Sequence, residues 1–116
     1  MDTELIIVIL FDCALMLGLS WYYKKFPPKE INEWFGFRTR RTMANQDIWD
    51  AANKRNARDL WTYAMYLTAF SILLIVFSIP YAIMIHIAGM LLGLFAAIYA
   101  SILYLDKHFD KNGNRR

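Results

Sequence analysis

The chain has 116 residues, of which 58% are hydrophobic and 20% charged, and its mean hydropathy is +0.27. That is the length of a single domain, too apolar for a disordered chain and too apolar for a soluble domain that must hide such side chains in one small core. The single cysteine, Cys13, excludes a disulfide framework and a cysteine-built zinc site, and the net charge of +3 is informative only through where the basic residues lie.

The first apolar run, Leu5 to Tyr23, is 19 residues long, against the roughly 20 that a helix needs to cross the hydrocarbon core. Asp2 and Glu4 precede it where a secretory signal would be basic, and no A-x-A cleavage pattern follows, so it is expected to remain as a membrane span. The connector Lys24 to Asp59 follows. Phe26-Pro27-Pro28 stops the first helix, and the proline and glycine punctuation through Gly36 reads as a folded loop. Asn45 is suited to cap a helix starting at Gln46, with Asp47 favourable in its first turn, and no proline or glycine interrupts from there to Ile79. The second span, Leu60 to Ile79, is therefore expected to be the far part of a longer helix that begins in the connector. On that extension Trp49, Ala52, Asn53, Asn56 and Leu60 share one face, and a face carrying tryptophan and two asparagines is unusual. Pro80 then separates the second span from a third, Tyr81 to Leu105, as a hairpin with almost no loop, and a polar tail runs from Asp106 to Arg116.

Among the three runs only Asp12 is charged, and their length without alternating polarity leaves helices as the way to satisfy the backbone in lipid. The predicted fold is an all-α membrane protein, a single membrane domain of three transmembrane helices. Of the 13 lysines and arginines, nine lie in the connector and four in the tail. Basic flanks stay on the cytoplasmic side, so the expected topology in the cell membrane is N-terminus outside, connector inside, Pro80 turn outside and C-terminus inside. Trp21, Tyr22, Tyr23, Trp34, Trp61, Tyr63, Tyr81 and Tyr104 near the span ends fit an aromatic belt.

Asp12 and His86 fall at a similar depth, roughly 10 and 8 Å from the outer span ends. A carboxylate in hydrocarbon costs about 2.5 to 3.5 kcal/mol and calls for a partner, which makes His86 the expected one, with Ser71 or Ser78 completing the contact. His86 shares a face with Gly89 and Gly93, a G-x-x-x-G pair extended by Ala97, suited either to packing within the bundle or to a homodimer contact. The pair is open to three uses: a structural contact, a ligand or peptide site, or a proton-coupled pathway. Two histidines and one cysteine give no metal site, and no nucleophile–base pair, phosphate loop or dinucleotide fingerprint is present, so neither an enzyme nor a cofactor is expected.

Pro28, Ile31-Asn32, Gly36-Phe37-Arg38-Thr39, Thr42-Met43, Asn45, Trp49 and Ala52-Asn53 resemble the signature of the SdpI family of small multi-pass bacterial membrane proteins. The match covers the connector and the start of the second span; longer relatives carry further N-terminal spans. The resemblance implies immunity to a secreted toxic peptide, or membrane signalling that holds a cytoplasmic transcriptional regulator, with no direct contact to nucleic acid. Arg38, Arg40 and Arg41 beside Trp34, Phe35 and Phe37 would equally serve an interfacial loop gripping anionic headgroups, so lipid anchoring and partner binding both stand for this segment. A polar cluster joining Arg38, Thr39, Asn45 and Asn53 is the expected structural use of the signature. The alternative to immunity and signalling is a small proton-coupled transporter or channel subunit that uses Asp12 and His86; a third reading is membrane structure alone.

Overall fold

A computed structural model describes residues 2–116 and contains three helices, α1 (Thr3–Lys25), α2 (Gln46–Val76) and α3 (Ala82–His108). All three are long and apolar enough to cross a membrane. Within their apolar windows only 17%, 22% and 17% of residues are buried inside the bundle, so most of the apolar side chains face outward, as lipid requires and water would penalise. The molecule is 51 Å long, well beyond a hydrocarbon core of about 30 Å, and its polar parts project at the connector end.

Helix α1 begins where the Asp2 carboxylate accepts the Glu4 N–H at 3.0 Å and ends with Lys24 and Lys25 in its last turn, both favourable to the helix dipole. Helix α2 begins at Gln46, as the capping pattern predicts, with the Asn45 side chain accepting the Ile48 N–H at 2.9 Å. The central position belongs to α2, which packs on both neighbours while α1 and α3 scarcely meet. Its inward seam runs Trp49, Asn53, Asn56, Ala64, Leu67, Ser71 and Leu74. On α3 the facing seam is built of small and polar residues, Ala82, His86, Gly89, Gly93, Ala97 and Ser101, which lets the two backbones approach closely.

The hairpin turn is longer than predicted. Helix α2 stops at Val76 because Pro80 disfavours helical backbone at Ile79, and the chain leaves through a Schellman cap. In that cap Ile79 N–H donates to Leu74 C=O at 3.0 Å and Ser78 N–H to Ile75 C=O at 3.1 Å, with Ser78 left-handed at φ 48°. Nor is the tail a free end. Phe109 is fully buried with Phe37, Ile48, Ala52 and Leu105, and the residues after it fold back, Asp110 N–H donating to Asn114 C=O at 2.8 Å. Tail and connector thus form one cap at one end of the bundle.

Candidate functional site

The signature residues of the connector point inward. Asn53, fully buried on α2, uses both ends of its carboxamide: Oδ1 accepts the Tyr23 hydroxyl and the Phe37 N–H, each at 2.6 Å, and Nδ2 donates to Trp49 C=O at 3.0 Å. Asn56 donates to the Tyr23 oxygen at 3.3 Å and faces the Ser101 hydroxyl at the same distance. This chain of neutral polar groups joins all three helices to the loop. Gly36 sits against it with φ +108°, and a Cβ there would lie 2.5 Å from Asn53 Oδ1 and 2.7 Å from Pro28 Cγ, so this is a position only glycine fills without strain. Trp49, fully buried, donates its indole N–H to Pro28 C=O at 2.9 Å and anchors the start of the loop.

The remaining signature residues shape the loop locally. Asn32 Oδ1 accepts the N–H groups of Trp34 and Phe35, both at 2.8 Å, closing an Asx turn. Thr39 N–H donates to the buried Thr42 hydroxyl at 2.8 Å, and that hydroxyl lies 2.8 Å from Phe37 C=O. Asn45, besides capping α2, donates to Gly113 C=O at 2.8 Å and so holds the tail. Arg41 pairs with Asp106 and donates to Phe109 C=O, while Arg115 grips Asp47 through two bonds of 2.9 Å. Hydrogen bonding to Asp47, and then its negative charge, raise the Arg115 pKa above its usual value.

The cluster expected to join Arg38, Thr39, Asn45 and Asn53 does not form. Asn53 is saturated by a phenol and a backbone amide, which leaves no site for a guanidinium; Thr39 turns to Thr42, and Asn45 to α2 and the tail. Arg38 is exposed and makes no hydrogen bond or ion pair among the described residues, and Arg40 is exposed likewise. Trp34, in the same loop, stands 88% exposed.

At the other end of the bundle Asp12, His86 and Ser71 form a second polar chain, one residue from each helix. Asp12 Oδ2 lies 2.6 Å from His86 Nε2, and His86 Nδ1 lies 2.6 Å from Ser71 Oγ. A neutral imidazole with its proton on Nε2 satisfies both partners, donating to the carboxylate and accepting from the hydroxyl. His86 and Ser71 are fully buried, whereas the Asp12 side chain keeps 27% of its exposure. Gly89 and Gly93 face α2 of the same chain: a Cβ on Gly89 would meet Leu67 at 3.5 Å, and one on Gly93 would meet Tyr63 at 3.6 Å. This face therefore packs inside the bundle.

Three apolar helices, a polar chain tying them to a folded cap, and a second polar chain near the turn define a small multi-pass membrane protein of the all-α type. The SdpI/YfhL protein family model matches residues 29–105, two thirds of the chain, and the protein belongs to that family. The matched range holds most of the connector, α2 and most of α3, so Asn53 and His86 fall inside it while their α1 partners Tyr23 and Asp12 precede it. Over 44 residues the chain is 46% identical to "Uncharacterized protein YfhL" of Bacillus subtilis (strain 168). That stretch is 38% of this chain and 40% of that relative, less than half the length of either. No solved structure matches the chain.

Proposed function

We propose that this SdpI-family protein protects a bacterial cell against a membrane-active toxic peptide, signals to a cytoplasmic regulator, or does both, without enzymatic chemistry. The connector and tail face the cytoplasm and the Pro80 turn faces outward, a topology supported by the placement of all 13 lysines and arginines in the connector and tail. One observation carries the reading: the signature's buried members hydrogen-bond the loop to α2, and Arg38, Arg40 and Trp34 are left exposed on it with no side-chain hydrogen bond or ion pair among the described residues. An exposed planar guanidinium is suited to bidentate recognition of a carboxylate-bearing protein segment, and an exposed indole in the same loop is suited to apolar contact with it.

The Asp12–His86–Ser71 chain has the composition of a catalytic triad but not its access. Ser71 Oγ and the imidazole are buried, which supports a structural rather than a nucleophilic use of the hydroxyl. The polar chain also stops at Ser71. From there to Asn56 is roughly 22 Å along α2, and the intervening buried residues on the seam are Leu67 and Ala64, which argues against a proton pathway.

Expression of the protein in a sensitive bacterial host should raise the inhibitory concentration of a membrane-active peptide, and Arg38→Ala should remove most of that protection without lowering thermal stability. Absence of protection against a panel of such peptides, together with no cytoplasmic protein captured in an Arg38-dependent way, would sink this reading.

A further inference from the structure

A groove of about 600 Å³ runs along α2 at the connector end, and none of the residues of the two buried polar chains lines it. Lys54, Arg58, Trp61 and Met65 line it at i, i+4, i+7 and i+11, one continuous stripe, and Lys24 of α1 and Tyr104 of α3 stand on its two sides. Of its four cations, Arg55 alone has a carboxylate partner among the described residues. Arg55 pairs with Asp59 at 2.9 Å and lies over the Tyr104 ring, forming a wall. Lys54 and Arg58 are exposed and have no carboxylate partner among the described residues, and Lys24 rests only over Trp61, 5.9 Å from the ring centre.

Depth distinguishes this groove from a generic basic surface. The apolar run of α2 begins at Leu60. Arg58 and Lys54 stand roughly 3 and 9 Å outside it along the helix, and Met65 roughly 8 Å inside. The headgroup layer is only about 5 to 8 Å thick on each side of the core. The stripe therefore changes from cationic to aromatic to apolar over the distance at which a phospholipid changes from phosphate to glycerol to acyl chain.

We propose that the groove between Lys24, Lys54 and Arg58, floored by Trp61, is a binding site for a single anionic phospholipid. The phosphate sits among the three cations, and the glycerol and upper acyl chain lie on Trp61 and Met65. The occupant is a lipid rather than a free anion because the groove continues past the cations to Trp61 and Met65, inside the apolar run of α2.

Native mass spectrometry of the full chain released from neutral detergent tests this, with phosphatidylglycerol, phosphatidylcholine and inorganic phosphate as probes. One phosphatidylglycerol should be retained per chain, phosphatidylcholine and phosphate should not be, and Lys54→Gln with Arg58→Gln should weaken retention on the order of tenfold. The charge-matched pair Lys107→Gln with Lys111→Gln, exposed on the tail side, should retain the lipid as the parent does. Circular dichroism confirms that both variants keep their helices. Equal retention of phosphatidylcholine, equal weakening in the tail pair, displacement of the lipid by phosphate, or uptake that grows without saturating at one lipid would each overturn the proposal. None of these outcomes bears on Arg38 or on peptide resistance.

Discussion

The two ends of the bundle solve the same problem with opposite chemistry. Helix α1 scarcely touches α3, and it is fastened by one polar side chain at each end: Tyr23 to Asn53 at the connector end and Asp12 to His86 near the turn, both at 2.6 Å. At the connector end every group is neutral, and the acceptor that holds α1 also holds the backbone of the loop at Phe37. Near the turn the groups are ionisable and satisfy only each other and Ser71. A buried polar group is costly when it loses its partner, and more so when that partner serves two others. Fold specificity should therefore concentrate in the connector network, and tolerance to change near the turn.

This contrast can be broken by substitution. Asn53→Leu leaves both the Phe37 N–H and the Tyr23 hydroxyl without their acceptor and should destabilise the protein by about 3 kcal/mol, read as thermal unfolding in detergent. Gly36→Ala forces a methyl group against Asn53 Oδ1 at a positive φ and should lower stability by about 2 kcal/mol in the same assay. Asp12→Asn retains a hydrogen-bonding amide and should cost about 1 kcal/mol or less; a larger loss than that of Asn53→Leu would invert the ranking and place the keystone near the turn. Arg115→Gln removes a fully exposed ion pair and should leave the unfolding temperature almost unchanged, while hydrogen exchange at residues 110–116 accelerates.

The spans, the Asn45 cap, the extension of α2 into the connector and the Asp12–His86 contact were legible in the amino-acid order, whereas the choice of Ser71 over Ser78 as the third member was not. Each rests on local rules: run length, capping chemistry, matched depth and shared helix face. What escaped depended on pairings distant along the chain. Tyr23 reads as one more belt aromatic until the loop folds beneath it and brings Asn53, 30 residues away, to its hydroxyl. The tail reads as a soluble end because its composition is polar, and only the burial of Phe109 beside Phe37 and Ile48 shows that it docks. Arg38 was expected within a cluster because charge suggests a partner. The carboxamide it was matched with instead took a backbone N–H, since an unmatched buried amide is harder to tolerate than an exposed guanidinium.

The early stop of α2 has the same local character as the features read correctly, and it shows how far such rules reach. Pro80 set the position of the hairpin, but the left-handed Ser78 and Tyr81 that complete it are not residues that favour such backbone. The turn is closed there by hydrogen bonds from Ser78 and Ile79 to the end of α2 rather than by a glycine.

The family signature acts inward, with the Asn53 carboxamide clasping the loop at Phe37 and leaving Arg38 on the outside. Amide hydrogen exchange of the intact protein in bilayer nanodiscs tests it most directly. The Phe37 N–H should exchange as slowly as the interior of α2 while the Arg38 N–H exchanges at the rate of an open loop. Rapid exchange at Phe37, equal to that of Arg38, would contradict it.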